Sequence, residues 1–247
     1  MATASAVPQV GDSRIGKRWD RLFFGGMVLL MLATVAVGFA HTYYMAGVFA
    51  APLRSRVLQV HGAVFSLWMI LLLVQATLVA SGQVRIHRRL GVAGVFIAAG
   101  VVVLGVLAAG DSLAHQGPQA PAAILSFAIT PFTDMLVFAI LAGAAFVLRR
   151  KPAAHKRLIL FATIAMMRAA LFRWPFPFLY HNQVRALLAS YVFVLMVVAY
   201  DLWSERRVRR ATMWAVALLL FVHAVRIPMG QTEGWRAFAQ WFGSLGI

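Results

Sequence analysis

The chain has 247 residues, 62% of them hydrophobic and 12% charged, with a formal net charge of +16 and no cysteine. A soluble domain carries about 25% charged residues, so this balance excludes an ordinary soluble fold and indicates a membrane protein. The missing cysteine excludes disulfides, thiolate metal sites, iron–sulfur clusters and cysteine nucleophiles. The positive charge sits in short clusters between apolar runs, which argues against nucleic acid as a partner.

Residues 1–13 are small and polar without periodicity and read as a disordered tail. Arg14, Lys17, Arg18 and Arg21 then precede an apolar run from Leu22 to Ala40. That run is longer than a signal-peptide core and reads as a retained first transmembrane helix. His41-Thr-Tyr-Tyr44 has the composition of an interfacial aromatic belt. Arg54 and Arg56 lead into a second run, Val57 to Ala80, and a short basic turn, SGQVRIHRRLG over 81–91, joins it to a third, Val92 to Gly110. Asp111 to Pro121 form a polar loop. A fourth helix is predicted over Ala122–Leu148, with Pro131 placed to break it near Asp134 and no counterpart break visible elsewhere.

The cluster RRKPAAHKR, 149–157, precedes a fifth helix over Leu158–Phe172. RWPFPFLYHNQVR, 173–185, reads as an interfacial loop, followed by a sixth helix, Ala186–Leu202, the basic turn SERRVRR, and a seventh helix, Ala211–Val225. The expectation is an all-α, seven-transmembrane-helix bundle over 14–229. In the tail, 230–247, Trp235, Phe238, Phe242 and Leu245 recur at spacings of three and four, which predicts a short amphipathic C-terminal helix lying in the interface.

Seven crossings put the loops on alternating sides, and the basic residues divide unevenly between them. Sixteen of the 23 Lys and Arg residues fall on the N-terminal side, six on the other, and Arg168 lies within the fifth helix. The positive-inside rule then places the N-terminus in the cytoplasm and the C-terminus outside, in the inner membrane of a bacterium.

Ionisable residues inside a span are costly and mark function by default. His61, Asp134, Arg168 and His223 are the ones away from helix ends. Counted from the basic turns at ~1.5 Å per residue, Asp134, Arg168 and His223 share one layer. Asp134 and Arg168 are therefore expected to form a buried ion pair, which either fixes helix register or, with His223 titrating, belongs to a proton or substrate pathway. His61, Trp68 and Gln75 are seven residues apart and form one polar seam that faces the bundle.

His87 and His155 open helices in related contexts, HRRL and HKRL. They read as snorkelling headgroup contacts or as axial ligands of a haem b, with His61 and His223 or His181 as an outer pair. A histidine metal site is the related alternative, without an H-E-x-x-H pattern to support it. The lysines, Lys17, Lys151 and Lys156, all lie in basic segments, so a retinal Schiff base is excluded.

At HRRLG (His87 to Gly91), HKRL (His155 to Leu158) and RWP (Arg173 to Pro175) the chain resembles a family of bacterial multi-pass membrane proteins described only as domains of unknown function. The resemblance runs from about His61 to Trp174. It implies an inner-membrane protein of about seven helices and supplies no reaction or ligand. Histidine placement is also loosely similar to cytochrome b561-type proteins, which implies haem. Three functions follow as expectations: a redox or cofactor-handling protein using His61, His87, His155 and His223; a non-enzymatic subunit or assembly factor of a membrane complex or homo-oligomer; and a proton-coupled small-molecule permease built round Asp134, Arg168 and His223.

Overall fold

The computed structural model describes residues 14–48, 52–53 and 55–246. The expected disordered tail, 1–13, and Arg54 lie outside the described residues. Among those described, the chain is helical, with no strand. The helices are α1 (Arg14–Phe39, continued by a π-helical turn, Ala40–Tyr44), α2 (Arg56–Ala80), α3 (Val84–Ala114), α4 (Ala122–Phe127), α5 (Ile129–Val147), α6 (Pro152–Ile164), α7 (Met167–Leu171), α8 (Gln183–Glu205), α9 (Arg210–Gly230) and α10 (Glu233–Ser244).

Among the described residues, six stretches are long and apolar enough to cross a membrane: Arg18–Tyr44, Arg56–Ala80, Val84–Ala114, Ala122–Arg150, Gln183–Glu205 and Arg210–Gly230. Their outward faces carry large apolar side chains. Phe96, Trp214 and Val147 are about three-quarters exposed, an exterior that suits hydrocarbon rather than water.

The interior is built round the segment α6–α7. From Arg157 to Leu171 almost every residue is buried, and α6 packs against α5, α9, α8 and α1 while α7 packs against α1 and α8. Close approach of α1 is possible because Gly38 faces the Ala170 backbone, where a Cβ would fall on the carbonyl. The core joins Met27 and Met31 of α1, Trp68 of α2, Val101 of α3, Phe138 of α5, Phe161 of α6, Val197 of α8 and Leu219 of α9.

Two membrane-length segments are interrupted. The run expected as one fourth helix is broken at Ala128 into α4 and α5. Pro131 has no N–H to give the Phe127 carbonyl four residues back, so α4 stops there. The run expected as the fifth helix starts six residues earlier, at Pro152, and is broken at Ala165–Met166. Neither proline nor glycine lies at that second break. The turn is closed by Met166 N–H donating to the Thr163 carbonyl over 3.0 Å, while the Thr163 hydroxyl donates back to Ile159 O, also at 3.0 Å; such back-bonding bends helices.

The seventh expected helix runs on past Val225 to Gly230, with Pro228 inside its last turn. The C-terminal helix forms over Glu233–Ser244, its Thr232 hydroxyl accepting from Trp235 N–H. It packs on the ends of α3 and α4: Ala239 is fully buried beside Leu113 and Leu125, Trp235 Nε1 donates to Leu125 O over 2.9 Å, and Arg236 Nε donates to Ser126 Oγ over 3.1 Å. Of the face expected to meet lipid, Trp235 and Phe242 pack against protein, while Phe238 and Leu245 stay exposed, as does Trp241.

Candidate functional site: a cavity at two broken helices

Asp134 lies on α5, six residues past the break at Ala128. Arg168 lies on α7, two residues past the break at Ala165–Met166. Arg168 Nη2 donates to Asp134 Oδ2 over 3.0 Å, and Arg226 Nη2, from α9, donates to Oδ1 over 2.8 Å. All three are buried. Arg168 Nη1 also donates to Gln183 Oε1 at the start of α8. Both carboxylate oxygens are therefore engaged, and one negative charge faces two positive ones. The Nε groups of Arg168 and Arg226 are buried without a hydrogen-bond partner among the described residues.

A cavity of about 820 Å³ reaches this cluster from the end of the bundle that carries residues 42–44, 52–53 and 112–116. That is large enough for a drug-sized molecule. Its walls come from α1, α2, α3, α5 and α7 and are mostly apolar, with Phe39, Phe65, Met69 and Met135 among them. Ala128 and Met166, one from each helix break, line it together with Asp134 and Arg168. Ala128 and Met166 are buried in protein as well as lining the cavity.

Arg173, just beyond α7, also lines the cavity. It donates to Ala169 O over 2.7 Å and sits 4.9 Å from the centre of the Phe39 ring. No carboxylate pairs with it among the described residues. His61 and His181 line the same cavity. His61 Nδ1 faces Leu104 O at 3.2 Å, and His181 stacks between Phe172 and Tyr180.

His223 does not line this cavity. Its Nδ1 is 2.6 Å from the Tyr191 hydroxyl. Both line a second chamber, of about 10 Å³, together with Arg168 and Ser190. That is about the room one water needs, and the walls offer it several polar partners.

The seam residues of α2 all turn inward but meet different elements. His61 reaches α3 at Leu104, Trp68 Nε1 donates to Thr163 Oγ1 of α6 over 3.2 Å, and Gln75 reaches His87 and Gly91 of α3. At the basic end His87 and His155 are adjacent, with ring centres 6.3 Å apart, and His155 Nδ1 faces Ala145 O at 2.9 Å. Gln75 satisfies its neighbours when its amide nitrogen donates to His87 Nδ1, at 2.7 Å, and its oxygen accepts from Gly91 N–H, at 3.1 Å. That orientation leaves the His87 proton on Nε2. Among the described residues no group of three or more His, Asp or Glu side chains converges as a metal site.

A second charge cluster ties the basic end together. Arg157, 1% exposed, donates through Nε and Nη2 to Asp201 Oδ1 at 2.8 and 2.5 Å, and Asp201 Oδ2 accepts from Thr212 Oγ1 at 2.6 Å and Arg209 N–H at 3.0 Å. Lys156 pairs with Asp20, which also accepts from the Tyr200 hydroxyl at 3.1 Å.

Sequence reasoning missed Arg226, Arg173, Gln183 and Tyr191 as members of the site. Arg226 stands one residue past the end of the apolar run, so hydropathy assigned it to a loop. Arg173 and Gln183 fall inside the aromatic, proline-rich stretch and carry no periodic signal. No family model, curated protein or solved structure matches the chain.

Proposed function

We propose that this is a bacterial inner-membrane protein of seven crossings, with its N-terminus in the cytoplasm, that admits a small molecule from the outer side and passes it through the bilayer. The seventh crossing is the broken segment α6–α7, which hydropathy and helix length alone do not count. The orientation rests on the excess of Lys and Arg at the basic end. The carrying observation is the pair of helix breaks, at Ala128 and at Ala165–Met166, that meet at one cavity beside a shared charge cluster. Secondary transporters place substrate sites near mid-bilayer at such discontinuous helices. Tyr191 and His223, linked through the small chamber to Arg168, supply a protonatable branch.

The chain has no cysteine, so single cysteines report access directly. Ala109→Cys, in the cavity wall, reacts with an impermeant maleimide added outside. Leu160→Cys, buried toward the basic end, reacts from the cytoplasmic side in a fraction of molecules that rises as the outer site closes. Reactivity at Ala109→Cys with none at Leu160→Cys under any proton gradient would leave a static binding subunit in place of a permease.

Haem b at His87 and His155 is the second reading. The two rings lie adjacent, with centres 6.3 Å apart, and these side chains would hold the iron, which would supply one-electron chemistry. Protein purified from haem-replete cells without a dithionite-sensitive Soret band would remove this reading.

A further inference from the structure

We infer that the cavity takes an amphiphilic anion, a single apolar chain carrying one carboxylate or phosphate head, with the head held at Arg173 and Arg168. This deepens the proposed transport function and rests on it.

The charges facing the ligand are unbalanced. Asp134 gives Oδ2 to Arg168 and Oδ1 to Arg226, so its one charge is divided between two guanidinium groups. Arg173 adds a third positive charge with a backbone carbonyl and aromatic rings as its partners. Uncompensated cations at membrane depth are costly. A ligand anion there neutralises them, and guanidinium is the group best shaped for carboxylate or phosphate. The unpartnered Nε of Arg168 leaves a donor in a side chain that already lines the cavity.

Among the described residues, the remaining walls carry no second Lys, Arg, Asp or Glu for the other end of a ligand. Leu58, Phe65, Met69, Met135 and Phe172 make a surface suited to a flexible hydrocarbon chain, and methionine adapts to such chains readily. A small hydrophilic anion would satisfy the arginines and leave this surface wet. A neutral hydrocarbon would fill the surface and leave the arginines unpaired. An amphiphile does both at once.

The test uses the full chain in phosphatidylcholine nanodiscs, with cis-parinaric acid as a fluorescent probe and its methyl ester as the uncharged control. The acid is expected to bind saturably at one equivalent, the ester about tenfold more weakly, as for loss of one charge-assisted contact. Arg173→Gln should abolish the preference for acid over ester, and Arg173→Lys should restore part of it. Thermal melting of each variant separates lost binding from lost folding. Displacement of the probe by oleate or by lysophosphatidate tells a carboxylate head from a phosphate head. Equal binding of acid and ester would overturn the anion inference. Displacement of the acid by inorganic phosphate alone, at the concentration at which oleate displaces it, would overturn the amphiphile part. No saturable binding of acid or ester, together with an Ala109→Cys that still labels from outside, would overturn the inference while leaving the cavity reading in place. Failure of that labelling as well would remove both.

Discussion

Arg226 Nη2 donates to Asp134 Oδ1 over 2.8 Å across 92 residues of chain, and this contact turns an expected ion pair between neighbouring helices into a three-helix clamp. Arg168 from α7 takes the other carboxylate oxygen. Asp134 thereby holds α5, α7 and α9 at one point. Removing the carboxylate leaves two buried guanidinium groups facing each other, which costs about 3–5 kcal/mol for a buried charge stripped of its partner. Asp134→Asn and Asp134→Ala should both lower the melting temperature strongly in detergent. Arg226→Met should cost less, because Asp134 keeps Arg168. The double variant should lose less than the sum of the single changes, since the pair is coupled. Additive losses would mean that the two residues do not act on one another.

The cluster at the basic end makes a second stability prediction. Asp201 is fully buried and accepts from Arg157, Thr212 and the Arg209 backbone. Asp201→Ala leaves the Arg157 guanidinium without its main partner and should destabilise by about 3–5 kcal/mol. Thr212→Val removes one hydrogen bond and should cost about 1 kcal/mol. A reversed order of these two in thermal melting would show that Asp201 is not the centre of the cluster.

The C-terminal helix should be held by protein contacts. Ala239 is fully buried against α3 and α4, so Ala239→Leu forces a larger side chain into a filled space, at about 1–3 kcal/mol. The expected result is release of α10, read as faster proteolytic cleavage near Thr232 with the rest of the chain intact. Trp235→Ala should act in the same direction through the lost contact with Leu125. Unchanged cleavage in both would mean that lipid, not α3 and α4, holds the helix.

Orientation is open to a direct measurement. Cysteine at Ser112, on the exposed end of α3, is expected to react with an impermeant maleimide in intact cells. Cysteine at Ser81, in the turn between α2 and α3, is expected to react only after the inner membrane is permeabilised. The opposite pattern would invert the topology and place the cavity mouth in the cytoplasm.

Transfer energetics acts residue by residue, and it made much of this protein legible without coordinates. Apolar runs between basic turns marked where helices lie, because a charge facing hydrocarbon is costly in any such run. The depth count from the basic turns put Asp134 and Arg168 in one layer, because helix rise is constant. The spacing of Trp235, Phe238 and Phe242 marked a one-sided helix for the same geometric reason.

What a helix face touches is another matter. Arg226 looked like a loop residue because the apolar run stops at Val225, yet α9 continues across Pro228 and brings it to Asp134. The break at Ala165–Met166 has no proline or glycine to announce it. It arises where Thr163 turns back on Ile159 and receives Trp68 from α2, a contact between residues 95 apart. Arg157 read as one more charge in a basic turn until α8 brought Asp201 against it. The sequence by itself determined which segments form helices long and apolar enough to cross a membrane. The tertiary structure alone decided which of their polar groups meet, since pairing depends on how helices rotate and cross, and that is set by side-chain packing over the whole bundle rather than by any local run of residues.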